Sequence, residues 1–507
     1  MKLKNIMFFI AVAMMAIGCT EDESTGIQTK IPDIEIGDFA EEGYSVVSYE
    51  GNYLNLTAMV KTDYPESEMI YKWYLIDHKK ENYIISEETI PYEREFIGEG
   101  KVLAYEVNLA PGEYTIVLEA QVSNGYLVSK TTTLKVSTNF SEGYYILKET
   151  ADGMTDIDIY RTSDNKLIGD VLSSVLGAPM AGKPVALSMA YSHCYIDEET
   201  NETASTDIAS VAIANGDFIA FRTTDMHPIL TRNNLQFGEM ASDERPYRIV
   251  SGMMMNYYIS NKGVSGNYQA SLMPGSGKYG VSSIGGASPF ITYQTWSIGM
   301  SMGIMYWSDE SHNIYISDYN AACYEVEDPA ITGLLDWDCI ACGTNDYSGI
   351  CHFVLQNHNT GERAMYIFEC SFMGPSLSDI VPLEGTHLGN AQLFSTNGSS
   401  ASFVYCVDSN KIYGYDLLTG TEQEIRPASL PGNATITYIS DQNFDGQEYF
   451  VVGTQDEDTY TLYFYNVLGG QPDGRPAFEV SGNGYVKSMH YTKAGYDPST
   501  VTPQIMD

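Results

Sequence analysis

FVYCVDSNKIYGYDLLTG, residues 403–420, decides the fold. Apolar residues run from Phe403 to Val407, Asp408, Ser409 and Asn410 supply side chains suited to a tight turn, and Ile412, Tyr413 and Tyr415 open a second short strand. Such a unit is a β-hairpin, and the chain keeps returning to it. Its relatives are GYYILKETADGMTDIDIYR from Gly143, VAIANGDFIAFR from Val211, IMYWSDESHNIYISDY from Ile304, CHFVLQNHNTGERAMYIFE from Cys351 and YFVVGTQDEDTYTLYFYN from Tyr449. Together they make a degenerate repeat.

Neighbouring hairpins lie about 50 residues apart, which suits a four-stranded blade, and the roughly 370 residues from 139 to 507 divide into seven. The sequence therefore predicts a β-propeller of seven blades over 139–507. Six or eight blades are the alternatives, because residues 226–300 are rich in Gly and Met and their strand pattern is weak. Two unrelated β domains are the remaining reading. Residues 403–420 are similar to the blade strands of quinoprotein-type propellers, a likeness of fold that implies no quinone.

Composition agrees. Of 507 residues, 45 are Gly, 39 are Tyr and only 18% are charged, a balance that favours short strands and turns over long salt-bridged helices, so the fold class is all-β. Against 27 Lys plus Arg stand 66 Asp plus Glu, a formal charge of -39, which repels polyanions and excludes general nucleic-acid binding.

Upstream, residues 36–138 alternate at strand spacing. Tyr114, Ile116, Leu118 and Ala120 share one face while Thr115, Val117 and Glu119 share the other, after the turn residues Pro111-Gly112 and before Asn124-Gly125. Strands are also expected from Leu54 to Val60, across Ile70 to Ile76, at Tyr126 to Val128 and from Thr131 to Val136. Roughly seven strands in about a hundred residues indicate an Ig-like sandwich with Trp73 in its core.

Lys2 and Lys4 precede an apolar run of about a dozen residues, too short to span a bilayer and laid out like a secretory signal. The run ends in Ala16-Ile17-Gly18-Cys19, which resembles the lipobox of bacterial lipoproteins, with Ala16 where Leu is more usual. The resemblance implies a signal peptide over 1–18 and a lipid on Cys19. Thr20-Glu21-Asp22-Glu23 then resembles the export signal of Bacteroidetes lipoproteins bound for the outer face of the outer membrane. Cleavage removes two lysines and no acid, taking the charge from -39 to -41. Residues 19–35, acidic and carrying Gly26 and Pro32, read as a tether.

The series Gly51-Asn52-Tyr53-Leu54-Asn55-Leu56, Tyr71-Lys72-Trp73-Tyr74 and Leu109-Ala110-Pro111-Gly112-Glu113-Tyr114 resembles the PKD-like domains of Bacteroidetes surface lipoproteins. With the propeller-like remainder, the chain resembles PKD-like family lipoproteins over nearly its whole length.

Sites are harder to read. Asp441-Gln442-Asn443-Phe444-Asp445-Gly446 matches the start of a calcium loop, in which Asp441, Asn443 and Asp445 would turn oxygens inward and Gly446 would permit the bend. Val452 falls where an EF-hand needs its acid. The longer run is more similar to the calcium loops of integrin-type propellers, with Tyr449 where an Asp completes the site. The alternative is an Asx-rich turn closed by side-chain hydrogen bonds. Cys339 and Cys342 form a CxxC near Cys351 and His352, a spacing that raises zinc or redox chemistry, yet no second CxxC follows. Seven cysteines besides Cys19 cannot all pair within the chain. Metalloprotease, nucleophile-elbow and phosphate-loop signatures are absent, Gly275-Ser276-Gly277-Lys278 lacking the rest of the last. The many tyrosines read as strand residues rather than sugar platforms. A binding face would lie at the propeller mouth, with the loops at 275–286 and 339–348 as candidates.

A non-catalytic surface lipoprotein is the leading reading. The resemblance implies an outer-membrane accessory of a TonB-dependent transporter and its lid lipoprotein, serving the uptake of a glycan or peptide. The alternatives are a propeller-type glycoside hydrolase or lyase using carboxylates at the mouth, which sequence spacing cannot exclude, and a purely structural surface protein.

Overall fold

The computed structural model describes residues 33–41, 43–48, 51–77, 94–123, 125–198, 200–252, 254–270, 272–282, 286–296, 300–331, 334–371, 374–444 and 447–493. Cys19, its lipobox and Asp445 lie outside them. Among the described residues the architecture is all-β, with two short α-helices, Val171–Leu176 and His387–Asn390. Two compact units divide the chain, one drawn from residues 1–43, 53–105 and 114–133 and the other from 44–52, 106–113 and 134–507.

Trp73 organises the sandwich strands. It lies on Met69–Asp77, wholly buried, with its indole nitrogen donating to the Gly100 carbonyl at 2.9 Å. That strand is flanked by Gly112–Val122 and Arg94–Glu99, and beyond Gly112–Val122 come Leu127–Ser137 and the parallel strand Tyr44–Val47. Tyr53–Thr57 pairs with Val102–Glu106 in a separate sheet, presenting buried Leu54, Leu56 and Leu103. The period-two reading of residues 114–120 is correct for Tyr114, Ile116, Leu118 and Ala120. Val117, expected on the outward face, is also buried. Residues 126–136, expected as two strands, hold one continuous strand, Leu127–Ser137.

From Glu142 on, seven sheets follow one another. Blade 1 pairs the last strand of the fold, Tyr485–Lys493, with Glu142–Glu149, then Thr155–Arg161 and Lys166–Ile168. Blade 2 runs Pro184–Ile196, Thr203–Ile213, Phe218–Arg222, Pro228–Thr231; blade 3 runs Pro246–Ser251, Met255–Ser260, Gly263–Tyr268. Blade 4 runs Ile291–Trp296, Met300–Ser308, Asn313–Asp318, Cys323–Glu325; blade 5 runs Trp337–Asn345, Ile350–Asn357, Arg363–Ser371, Gly374–Pro382. Blade 6 runs Leu393–Thr396, Phe403–Asp408, Lys411–Asp416, Glu422–Ile425; blade 7 runs Thr435–Phe444, Gln447–Asp456, Thr459–Leu468, Gln471–Asn483. In blades 2 to 7 the first strand is innermost, and in blade 1 Tyr485–Lys493 takes that place beside Pro184–Ile196 and Thr435–Phe444.

Each pair of successive blades shares a core. Phe403, Tyr405 and Val407 face blade 7, where they meet Phe450, Val452 and Tyr465, while Val404 and Cys406 face blade 5 and meet Val354, Met365 and Ile367. A strand buried on both faces must be apolar at every position, which explains the unbroken run from 403 to 407. The same division repeats around the ring, and the last core joins Val451, Leu462 and Phe464 of blade 7 to Tyr144, Ile146 and Met489 of blade 1. These cores make the second unit a closed seven-bladed propeller. The turn in the quoted stretch is the two-residue type that reverses the chain with both central φ positive, Ser409 at 53° and Asn410 at 60°, between the paired Asp408 and Lys411.

Closure also has a charged element. Lys148, paired with Val486 of the closing strand, is 2% exposed and reaches Asp158 at 2.5 Å and Asp170 at 2.8 Å. Tyr460 of blade 7 donates its hydroxyl to the same Asp158 at 2.7 Å. Lys148→Ala would leave the Asp158 carboxylate buried without its cation, an expected loss of about 3–5 kcal/mol read from the denaturant midpoint. Adding Asp158→Asn should recover part of the loss; equal stability of Lys148→Ala and the parent would refute the ion pair's role.

Candidate functional site

The segment after blade 3 does not add a fourth strand among the described residues. It crosses to blade 2 instead. Tyr279 bridges Gln236 in parallel, with its amide donating to the Leu235 carbonyl at 2.9 Å and its carbonyl accepting from Phe237 at 3.1 Å. Gly277, at φ +73°, passes so close to the inner strand of blade 2 that a Cβ there would lie 1.8 Å from the Cys194 carbonyl oxygen. Gly275 donates its amide to the Cys194 sulfur at 3.3 Å. Only glycine permits this approach.

The crossing leaves a cavity of about 290 Å³ between Ser276 and Lys278 on one side and Tyr195, Asp197, Arg222 and Asn234 on the other. Arg222 is fixed by its neighbours. Its Nε donates to Asp225 at 3.0 Å, a second guanidinium nitrogen donates to the other Asp225 oxygen, and a third donates to the Tyr195 hydroxyl at 3.1 Å. The guanidinium carbon also lies 5.8 Å from the Tyr195 ring centre. Hydrogen bonding to Asp225 raises the Arg222 pKa further above its ordinary value, so the charge is permanent. Lys278 has no carboxylate partner among the described residues. On the same strand as Tyr195, His193 is wholly buried near Gly277, neither ring nitrogen finds a partner among the described residues, and burial lowers its pKa to about 4. Its ring is stacked 6.0 Å from Tyr279. Two cations, two carboxylates, a phenol, an imidazole and an amide around a space of this size suit a small, hydroxyl-rich or zwitterionic group. A larger hollow of about 680 Å³ on the sandwich is a surface groove whose Lys130 is already bound to Asp38 at 2.6 Å.

The loop expected at 275–286 thus helps to build the cavity. The one expected at 339–348 does not exist as a loop: Trp337–Asn345 is the inner strand of blade 5, and only residues 346–349 turn. Cys339 and Gly343 suggested loop because they interrupt strand alternation, but a bulge between Cys339 and Ala341 absorbs the irregularity.

Asp441 and Asn443 lie in regular pairing with Phe450 and Glu448, on the inner strand of blade 7. Asp441 is wholly buried. Its carboxylate accepts from the Gly398 amide at 3.0 Å and from Asn397 Nδ2 at 2.9 Å, while the same Asn397 nitrogen donates to Glu448 at 2.9 Å. Burial, with the Glu448 charge adding to it, pushes the Asp441 carboxyl well above the usual range despite the two donors. The pair, with Asp441 buried and Glu448 half-buried, ties the blade 6 turn to blade 7. Among the described residues no group of three His, Cys, Asp or Glu side chains is placed to hold a metal ion. Cys339 and Cys342 point apart, toward the carbonyls of Ala341 and Ile291, and burial pushes Cys342 up to about 12. His352 is buried and lowered to about 4.

No protein-family model matches the chain, and no curated protein does. Among solved structures it is similar to the dihydro-heme d1 dehydrogenase NirN in complex with DHE, at 10% identity over 74% of this chain and 73% of that one, with a TM-score of 0.38. It is similar to BamB from Moraxella catarrhalis at 13% identity, over 70% of this chain and 84% of that one, TM-score 0.33. A DUF4784 family protein from Bacteroides caccae shares 7% identity over 79% and 96%, TM-score 0.29. Likenesses this slight decide nothing about activity, and the propeller rests on the strand order and shared cores described above. No helix among the described residues is long and apolar enough to cross a membrane.

A carboxyl whose folded pKa is raised stabilises the fold below its unfolded value, and that stability is lost as pH rises through the folded value. Asp441→Asn, which keeps the shape and donates without needing a proton, should therefore raise the melting temperature more at pH 8 than at pH 5. An equal shift at both values would refute a protonated Asp441.

Proposed function

We propose that the chain is a cell-surface lipoprotein that binds rather than converts its ligand, anchored through Cys19 in the outer membrane. In this reading it serves a TonB-dependent transporter and its lid lipoprotein in capturing a glycan or peptide. The observation that carries the binding role is the cavity under residues 276–278, whose fixed Arg222, available Lys278 and Tyr195 offer hydrogen bonds and an aromatic edge at one place. The address rests on the lipobox and the acidic residues after it.

Affinity purification of the native protein from gently solubilised outer membranes should recover the transporter and its lid; recovery of the chain alone would refute the uptake role. Globomycin should accumulate precursor, and proteinase applied to intact cells should degrade the protein. For the cavity, the full chain is screened against immobilised glycans and peptides, and the best probe is titrated against Lys278→Ala. A weakening of about tenfold, roughly 1.4 kcal/mol, is expected. Unchanged affinity would move the ligand elsewhere.

A further inference from the structure

Two cysteines stand apart from the rest. Cys351 lies on the second strand of blade 5 opposite Phe368, and Cys370 follows Phe368 by two residues on the third strand, so both side chains point to the same face of the sheet. That face packs against blade 4, where Cys351 is wholly buried and Cys370 is half-buried. Their sulfurs are 3.2 Å apart. A disulfide places its sulfurs about 2.05 Å apart, so the two strands and side chains must close the remaining gap. Cys351 Sγ also lies 3.0 Å from the Tyr293 carbonyl, and among the described residues no sulfur–sulfur approach is seen for the other thiols: Cys194 is directed toward the Met273 carbonyl, Cys323 toward Ala321, Cys339 toward Ala341 and Cys342 toward Ile291, while Cys406 is packed between blades 5 and 6.

We propose that Cys351 and Cys370 form a disulfide once the chain has left the cytosol. The oxidant is a disulfide-bearing partner of the thiol–disulfide exchange class. The Cys370 thiolate attacks one sulfur of that partner, a mixed disulfide forms and the partner's first thiolate leaves. Cys351, having lost its proton, then attacks the Cys370 sulfur and expels the second thiolate. Two protons and two electrons leave the cysteines, and the partner departs as a dithiol. The bond staples the two middle strands of blade 5 at the end of the hairpin away from its turn and leaves the other thiols reduced, consistent with an odd number of cysteines after Cys19. The inference shares the export reading with the proposed function but not its ligand or its transporter.

The test is a thiol count in denaturant on full-length protein from the cell envelope, alkylated before any reductant is added. Cys351→Ser should raise the count by one, because Cys370 is released; without the bond the same change lowers the count by one. Cys370→Ser should behave alike, and Cys342→Ser should lower the count. Against misfolding of the variants, the unreduced parent should gain about 2 Da on reduction, with a linked peptide pair containing Cys351 and Cys370. The same chain made without residues 1–18 in a reducing cytosol should show three further thiols, those of Cys351, Cys370 and the unlipidated Cys19. A fall of one thiol in Cys351→Ser with no linked peptide in the parent overturns the disulfide, whether or not a transporter co-purifies.

Discussion

Every blade is packed on both faces, and that constraint governs the rest. An open stack of such sheets would leave two apolar faces in water, each built like the Val404–Cys406 or Phe403–Tyr405 surface. The stack escapes by bending into a ring, and a ring needs a joint. Here the joint is Tyr485–Lys493, the last strand of the fold, which hydrogen-bonds to the first blade strand from Glu142↔Lys493 to Glu149↔Tyr485. Closure therefore waits on distant residues, and contacts of such sequence separation fold slowly.

Apolar faces alone would let blades slide, because a Val or Tyr fits many neighbours. Polar groups at the junctions set the register. Asn345 donates to the carbonyls of Asn397 and Ala401, Asn256 to that of Tyr191, and Arg248 to those of Leu187 and Pro289. Each bond is made between blades and only in one alignment, and each would leave a buried polar group wanting if the alignment changed. Asp158 and Asp441 play the same part at the closing junction and at the junction of blades 6 and 7.

The repeat was legible because of this double burial. The six hairpins read from the sequence are the middle strands of blades 1, 2, 4, 5, 6 and 7, the strands with apolar neighbours on both sides. Inner and outer strands were not read, since their shorter or more polar runs resemble loops; Trp337–Asn345 with its Cys and Gly is the case in point. Trp73 was legible as core because a large aromatic flanked by alternating residues has few other uses. The carboxylates of 441–446 were not: sequence spacing shows that Asp441 and Asn443 share a strand face, but not that Asn397, more than forty residues away, lies over that face.

Blade 3 carries the most informative failure. Its middle hairpin, Met255–Ser260 with Gly263–Tyr268, escaped notice because Gly, Asn and Ser dilute the second strand. Gly263 and Gly266 lie in that strand; a Cβ on Gly266 would lie 2.3 Å from the Ala321 side chain, so small residues there are the condition for blade 4 to pack. The chain that follows is then free of a strand's duties and crosses to blade 2. Pattern was lost in the sequence at the place where the ring departs from regularity, and that departure is what opens the cavity under residues 276–278. A regular fourth strand would need strand-forming side chains where Gly275 and Gly277 stand, and Gly277 has no room for one. The weak pattern of residues 226–300 and the presence of a binding cavity thus share one physical cause.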